Sequence, residues 1–183
     1  MESSHVLQAT RNWLERVVVG LTLCPFASQP LSRNQIRLAV SQASSFDQLS
    51  KELLSEMAFL LEHEPDELET SLLIIPGLLG DFEEYLDFVA WGEEQIEAIG
   101  AEGTLQIATF HPAYRFADAD SEDAANFSNR SPYPMIHFLR EESVAEAIAH
   151  HPDVEGIPER NVAKLRALGF AHLQALRAAC LGT

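Results

Sequence analysis

Hydrophobic positions in the first part of the chain change from a helical period to an alternating one. One helical face is formed by Val6, Trp13, Leu14, Val17 and Val18. The pattern ends near Gly20, before the turn-rich segment LTLCPFASQP, which predicts an opening helix followed by a loop. The stretch IRLAV, residues 36–40, alternates apolar with polar or small residues, and this alternation predicts a half-buried strand.

Two longer helices are predicted on either side of a short apolar strand. Ser45 and Gln48 form a capping-box pattern at the start of the first helix. Its apolar stripe consists of Phe46, Leu49, Leu53, Met57, Leu60 and Leu61. The run TSLLIIP, stopped by a Pro-Gly pair, predicts a buried strand. Asp81 can cap the second helix, which ends at Gly100. Its inward positions are Phe82, Tyr85, Leu86, Val89, Ile96 and Ile99.

Two further strands enclose the longest loop of the chain. TLQIATF predicts a third strand, with Leu105, Ile107 and Thr109 on one face, and MIHFLR predicts a fourth. The connection between them has more than 20 residues, and loops of that length inside compact domains are usually functional or disordered. Three short helices are predicted in the remaining chain, around 144–150, from 158 to 169 and over 170–180.

The order strand, helix, strand, helix, strand requires crossovers and some parallel pairing. We therefore predict an α/β fold, a sandwich with a central mixed sheet of about four strands, flanked by helices and followed by a helical C-terminal tail. The 183 residues suit a single domain spanning 1–183, since no stretch has the composition of a linker. The order of the strands is not readable from the pattern.

The acidic composition limits the partners that the chain can have. It contains 28 Asp and Glu against 12 Lys and Arg, and its formal net charge is −16. That charge repels phosphate backbones and anionic membrane surfaces, so neither nucleic acid nor membranes are expected partners. Neither a signal-peptide pattern nor an apolar run of membrane-spanning length occurs in the sequence, and we expect a cytoplasmic protein. Its cysteines, Cys24 and Cys180, are then expected as free thiols.

Candidate chemistry is concentrated at the base of the long loop. If the third and fourth strands pair antiparallel, His111 at the end of one lies beside the start of the other. Alternation from Thr109 to His111 and from Met135 to His137 would let both imidazoles point to one face of the sheet. Either histidine could then act as a general acid or base, since imidazole titrates near neutral pH. The alternative for His137 is a core histidine that is hydrogen-bonded to a backbone carbonyl.

The segment NRSPYPMIHFLR adds basic and polar donors to the same region. Asn129, Arg130 and Ser131 supply amide, guanidinium and hydroxyl groups, and Arg140 supplies a second guanidinium. Two converging guanidinium groups fit a phosphate or carboxylate, so a small anionic molecule is the expected ligand. In the alternative interpretation, Arg130 and Arg140 pair with neighbouring carboxylates and fix the loop.

Cys24, in the stretch LCPFA, is the third candidate catalytic residue. A neighbouring imidazole would favour its thiolate form and make it a nucleophile. The simpler alternative is a small buried apolar residue, which is the usual role of a free cysteine. Cys24, His111 and His137 could instead be three ligands of an open zinc site, but no compact metal-binding spacing supports this. Motifs for nucleotide binding or for a nucleophile elbow are absent from the sequence, and the sequence does not identify a cofactor.

Three segments resemble the hallmark segments of the bacterial domain of unknown function 1415 (DUF1415) family: LCPFA, FHPAYRF and NFSNRSPYPMIHFLRE. The likeness covers about residues 6–169 and leaves the C-terminal helix 170–180 outside it. The resemblance implies a small bacterial protein without an established activity, substrate or cofactor. It also implies a set of signature residues: Cys24, Pro25, His111, Pro112, Asn129, Arg130, Ser131, Pro132, His137 and Arg140.

Two functions of different classes are compatible with these patterns. The first is binding, with or without turnover, of a small anionic metabolite at the base of the loop of residues 111–137. The second is a non-enzymatic interaction protein in which the Asn-Arg-Ser-Pro segment is structural. Its contact with a basic protein partner would be the acidic face of the helix after Asp81, formed by Glu83, Asp87, Glu93, Glu94 and Glu97. The convergence of His, Arg, Asn and Ser favours the first.

Overall fold

A four-stranded mixed sheet forms the centre of the computed structural model, which describes residues 2–182. The strands are β1 (Ile36–Val40), β2 (Thr70–Ile74), β3 (Leu105–Phe110) and β4 (Met135–Arg140). Their order across the sheet is β1-β2-β4-β3, with β1 parallel to β2 and β4 antiparallel to both of its neighbours. The predicted α/β fold is confirmed, including its number of strands and its mixed pairing.

Helices flank the sheet and form the C-terminal tail, as predicted. They are α1 (Ser3–Trp13), which continues into a π-helical segment (Leu14–Val19), α2 (Ser28–Ser32), α3 (Phe46–Leu61), α4 (Phe82–Ala98), a 3-10 helix (Ala124–Ser128), α5 (Glu141–His150), α6 (Ile157–Leu168) and α7 (Phe170–Cys180). The sequence pattern does not predict α2 or the 3-10 helix, because 5 residues are too few for an apolar stripe to recur. Within residues 2–182, no helix has both the length and the apolar character needed to cross a membrane.

Side-chain caps fix the starts of the two long helices. The Ser45 hydroxyl accepts a hydrogen bond from the Gln48 backbone N–H at 3.4 Å, as the capping-box pattern predicts. The Gln48 side chain accepts from the backbone N–H of Ser44 at 2.9 Å, one residue earlier than that pattern implies. The Asp81 carboxylate accepts from two backbone N–H groups in the first turn of α4, at 2.9 and 3.1 Å. These bonds satisfy amide donors that have no partner inside their helices.

Each face of the sheet packs on its own layer of helices. The α1 face is covered by α1, the π-helical segment, α6 and α7, and its buried cluster includes Trp13, Val17, Leu72, Ile74, Met135, Leu165 and Leu173. The α4 face is covered by α3 and α4, and its buried cluster includes Leu49, Leu53, Met57, Leu73, Tyr85, Val89, Ile136 and Phe138. Alternation along β2 and β4 sends successive side chains into opposite clusters, so both central strands are buried on both sides.

Four apolar residues that the helical stripes place inward are instead more than a third exposed. They are Phe46, Leu61, Leu86 and Ile99, with exposed fractions of 50%, 39%, 37% and 47%. Phe46 and Leu61 are the first and last residues of α3, a helix of 16 residues that follows a strand of 5. Because a helix of that length extends about 24 Å and the strand about 17 Å, both ends of α3 extend beyond the sheet that would bury them.

The Tyr85 hydroxyl joins α4 to the two strands that carry the long loop. It donates a hydrogen bond to the Met135 carbonyl at 2.7 Å and accepts one from the Phe110 backbone N–H at 3.0 Å. Phe110 is the last residue of β3 and Met135 the first of β4, and the two residues are paired in the sheet. The buried phenol therefore holds together the end of the sheet from which the loop of residues 111–134 departs.

Replacing Tyr85 with Phe should lower the free energy of unfolding by about 1–3 kcal/mol, because a buried carbonyl and an amide lose their partner. The measurement is urea denaturation of wild type and variant. Tyr114→Phe is the matched control, since the Tyr114 hydroxyl makes no hydrogen bond within residues 2–182. Equal stability of the two variants would contradict the assigned role of the Tyr85 hydroxyl.

Candidate functional site

The two candidate histidines lie on opposite faces of the sheet. The observed register pairs Phe110 with Met135 and Ala108 with His137, so these side chains share the α1 face. His111 follows Phe110 and points to the α4 face, where its ring lies 5.0 Å from the ring of Tyr85. The expectation that both imidazoles share one face is therefore wrong. The reason is the register of β3 and β4, which the sequence pattern does not specify.

Both ring nitrogens of His111 bond to backbone groups. The side chain is fully buried, Nε2 donates to the Leu79 carbonyl at 2.9 Å and Nδ1 accepts from the Ala113 backbone N–H at 3.0 Å. Burial lowers the pKa of His111 below its ordinary value, although the Leu79 carbonyl opposes the shift. His111 is thus a neutral imidazole that ties the start of the long loop to the turn before α4. Neither nitrogen is free to transfer a proton to a ligand.

His137 bonds to the neighbouring strand. The Thr70 hydroxyl donates to the Phe138 carbonyl at 2.5 Å, so its oxygen accepts the Nε2–H of His137 at 2.6 Å. Burial lowers the pKa of His137 to about 4, which keeps the ring neutral at physiological pH. Its ring lies 5.9 Å from that of Phe110 on the α1 face. This environment fits the structural alternative for His137, with a hydroxyl in place of the expected carbonyl.

The polar side chains of the Asn-Arg-Ser-Pro region bond to the backbone of the loop. Asn129 Nδ2 donates to the Thr109 carbonyl at 3.0 Å, and the Asn129 carbonyl accepts from the His111 backbone N–H at 3.1 Å. The buried Ser131 hydroxyl donates to the Tyr133 carbonyl at 2.5 Å. Asn126, also buried, accepts from one backbone amide of the loop and donates to one of its carbonyls. Asn129 and Ser131 thus stabilise the loop.

Arg130 is buried and bonds to carbonyls of the loop. Its Nε donates to the Tyr114 carbonyl at 3.0 Å and its Nη2 to the Ser121 carbonyl at 2.7 Å. The guanidinium also lies over the rings of Phe127 and Phe170, at 5.0 and 5.5 Å. None of the salt bridges within residues 2–182 involves Arg130. Arg130 therefore fixes the loop, as the structural alternative predicts, but through carbonyls and aromatic rings where carboxylates were expected.

Arg140 lies at the other end of β4 and caps α3. Its Nη2 donates to the carbonyls of Leu60, His63 and Leu68, at 2.7, 2.5 and 3.1 Å. These carbonyls belong to the end of α3 and the turn that follows it, where a cation also favours the helix dipole. Since Arg130 precedes β4 and Arg140 ends it, their guanidinium groups do not converge. The predicted clamp of Arg130 and Arg140 on one anion is wrong.

The second cation near Arg130 is Arg177, which the sequence pattern did not single out. Arg177 lies on α7, its Nη1 donates to the Pro112 carbonyl, and its guanidinium lies 5.9 Å from the ring of Phe127. Arg177 follows the buried Leu173 by four residues, so the two side chains lie on the same, inward side of α7. A cation on the inward face of an amphipathic helix is the signal that was available in the sequence.

Cys24 packs as a small apolar residue beside the buried cluster of the α1 face. Burial raises the pKa of the Cys24 thiol above its ordinary value, despite hydrogen bonds from the backbone of Phe26 and Ala27. The thiol form is therefore favoured, and this fits the structural alternative. Because His111 and His137 are on opposite faces, the zinc site with Cys24 is also wrong. The described part of the chain holds no group of three or more His, Cys, Asp or Glu side chains arranged for a metal ion.

A groove between α3 and α4 opens to solvent. Its volume is about 330 Å³, and it is lined by Phe46, Ser50, Glu84, Asp87, Phe88 and Trp91. The Phe88 ring lies 6.3 Å from that of Phe46 and 5.3 Å from that of Trp91. The sequence pattern assigned Phe46 to the core and Asp87 to an acidic surface, but it did not show that they meet.

The family resemblance is confirmed by comparison with known protein families. The family model described as protein of unknown function (DUF1415) matches residues 5–175, and the chain belongs to this family. The match extends into α7, which the resemblance was expected to leave outside. No curated protein and no solved structure is detectably similar to the chain.

Substituting Arg140 with Met should destabilise the fold by about 2–4 kcal/mol, because several carbonyls at the end of α3 lose a charged donor. Urea denaturation followed by circular dichroism measures the change. Arg160→Met serves as the control, since Arg160 forms an exposed ion pair with Asp153, and exposed pairs contribute little to stability. A loss no larger than that of the control would show that Arg140 does not cap α3.

Acid should destabilise the protein partly through His137. Its pKa is about 4 in the fold against an ordinary value of 6.5, so the unfolded chain binds the proton first as pH falls through this range. Protonation of His137 in the unfolded chain does not lower the free energy of unfolding above pH 6.5. Between pH 6.5 and pH 4 it lowers the free energy of unfolding by up to about 3 kcal/mol.

Unfolding free energies measured from pH 7 to pH 4 should therefore depend less on pH in His137→Phe than in wild type. His172→Gln, a change at an exposed histidine, should leave the wild-type dependence in place. Parallel curves for wild type and His137→Phe would refute the contribution of His137.

Proposed function

We propose that this member of the DUF1415 family is a non-enzymatic binding protein that holds a basic, partly apolar segment of another protein in the α3–α4 groove. The observation that carries the proposal is the composition of the groove, in which three aromatic side chains meet two carboxylates. Basic residues that flank an apolar anchor are the chemistry that complements such a surface. The Asn-Arg-Ser-Pro segment then has a structural role.

The aromatic floor supplies the apolar part of the contact. Phe46 is half exposed and Trp91 partly exposed, and the buried Phe88 ring lies beside both of them. Aromatic residues in a concave surface are the usual anchors of protein interfaces, because they bury large areas at a low cost in side-chain entropy. The groove volume of about 330 Å³ can take one or two large side chains and is too open to enclose a small metabolite.

The carboxylates at the rim supply the selectivity for a basic partner. Glu84 and Asp87 are exposed, and neither belongs to a salt bridge within residues 2–182. None of the residues that line the groove is Lys or Arg. The net charge of −16 adds a long-range attraction for cationic segments. Of the five acidic residues that the sequence pattern offered for such a contact, only Asp87 lines the groove.

The absence of free catalytic groups at the loop base supports a binding role over an enzymatic one. His111 uses both ring nitrogens on backbone groups, and burial lowers the pKa of His137 to about 4. The Cys24 thiol is not activated by a converging imidazole. A catalytic site would need such groups near a cavity, whereas the Ser50 hydroxyl in the α3–α4 groove donates to the Phe46 backbone carbonyl at 2.8 Å.

Selection from a random-peptide library on phage tests the proposal, because it requires no assumption about the identity of the partner. Peptides enriched on the wild-type chain should carry Lys or Arg around a Leu or an aromatic residue. Binding of the synthesised peptides can be followed by tryptophan fluorescence, because of the two tryptophans Trp91 lines the groove and Trp13 is buried. Affinity should decrease as salt is added, since the rim charges are exposed.

The charge-reversed double variant Glu84→Lys, Asp87→Lys should bind these peptides at least about tenfold more weakly, because two attractive contacts become repulsive. The matched control is Glu93→Lys, Glu94→Lys, which makes the same change of net charge on the exposed side of α4 outside the groove. The proposal fails if the two double variants bind equally, or if the selected peptides are neutral or acidic.

A further inference from the structure

We further propose that Arg130 and Arg177 form a binding site for a small phosphate-type oxyanion at the base of the loop of residues 111–134. This site is separate from the α3–α4 groove and does not depend on the function proposed for that groove. Compared with the clamp predicted from the sequence, this site includes Arg130 but not Arg140, which caps α3. The second arginine is Arg177 of α7.

The two guanidinium groups are held next to each other by the same parts of the loop. Arg177 donates to the Pro112 carbonyl and Arg130 to the Tyr114 carbonyl, and these carbonyls are two residues apart. Both guanidinium groups also lie against the ring of Phe127, at 5.9 and 5.0 Å. Because a hydrogen bond from the Tyr114 backbone N–H to the His111 carbonyl closes a turn over these residues, the two cations flank one short segment of the loop.

The charges of this pair have no carboxylate partner within residues 2–182. Neither arginine takes part in a salt bridge. The nearby Asp123 carboxylate is bound to Arg166, which lowers the pKa of Asp123 to about 2. Asp120 bonds instead to the hydroxyl and backbone amide of the two residues that follow it.

Mutual repulsion adds to this imbalance of charge. Burial lowers the pKa of Arg130, and the charge of Arg177 lowers it further. Burial lowers the pKa of Arg177 as well. Two like charges in a poorly hydrated site are unfavourable unless an opposite charge compensates them, and carbonyl dipoles and aromatic rings compensate only part of a full charge. An anion between the two groups would supply the missing charge.

Unused hydrogen-bond donors indicate what the ligand must be. A guanidinium group carries five N–H donors. Arg130 directs two of its nitrogens to carbonyls and Arg177 directs one. Two forks of this kind match the oxygens of a phosphate group, free or as a monoester. Arg130 is only 8% exposed while Arg177 is partly exposed, so the ligand must be small and must enter from the side of α7.

The test compares melting temperatures in sodium phosphate and in sodium chloride of equal ionic strength, for the full chain. Phosphate at about 100 times its dissociation constant should raise the melting temperature of wild type by about 5–10 °C relative to chloride. A parallel series with glycerol 3-phosphate distinguishes a site for the free ion from a site for a phosphate monoester. Isothermal titration calorimetry with inorganic phosphate measures the same binding in the folded protein.

Arg177→Gln should abolish the phosphate-dependent shift, whatever its effect on the melting temperature in chloride. Arg160→Gln, which removes an exposed arginine paired with Asp153, should retain the shift and controls for the loss of one positive charge. Arg130→Lys keeps the charge but loses the fork, and it should bind phosphate at least about tenfold more weakly than wild type. The site does not exist if wild type melts equally in phosphate and chloride, or if Arg177→Gln keeps the full shift.

Discussion

The buried backbone polar groups of the connection 111–134 need hydrogen-bond partners, and the arrangement around β4 depends on this requirement. The chain leaves the end of β3 and returns as β4, which lies between β2 and β3. Backbone hydrogen bonds within the connection pair only some of its amides and carbonyls. His111, Asn126, Arg130 and Ser131 supply further partners from their side chains. Residues that suggest a catalytic centre in the sequence are therefore the residues that hold the loop in place.

The sequence predicts the elements of this fold better than it predicts the site, because elements depend on local periodicity and the site depends on register. The stretches IRLAV and MIHFLR are strands with the predicted bounds, and Asp81 caps α4 as predicted. A shift of one residue in the pairing of β3 and β4 would bring His111 and His137 to one face, and no local signal distinguishes the two registers. Likewise, a guanidinium group can bind a carbonyl, an aromatic ring or an anion, and the sequence does not show which partner it will have. Arg130 binds carbonyls and rings of the loop, whereas Arg140 caps α3.

The positions of the arginines explain why many surface carboxylates have no cation beside them. Among its 12 Lys and Arg residues, several have their charge directed inward. Arg130, Arg140 and Arg177 donate to backbone carbonyls, and Arg37 pairs with the buried Glu56. These cations stabilise the fold and leave few positive charges to balance carboxylates outside. Because these arginines are not available at the surface, carboxylates such as those at the rim of the α3–α4 groove remain without a cation. A basic partner would complement them.

Helix α4 links the loop base to the groove because its two sides serve different surfaces. On the inner side, Phe82 lies 5.2 Å from the ring of His111 and 5.3 Å from that of Tyr114. On the outer side, one to three turns further on, Phe88 and Trp91 line the groove. Residues 111–114, to which Asn129 and Arg130 are hydrogen-bonded, thus pack on the helix that carries the groove. The loop contributes to the position of α4 without lining the groove. A signature motif can therefore be required for a binding surface that it does not touch. In this interpretation the Asn-Arg-Ser-Pro segment fixes the loop, the loop supports α4, and α4 carries the groove.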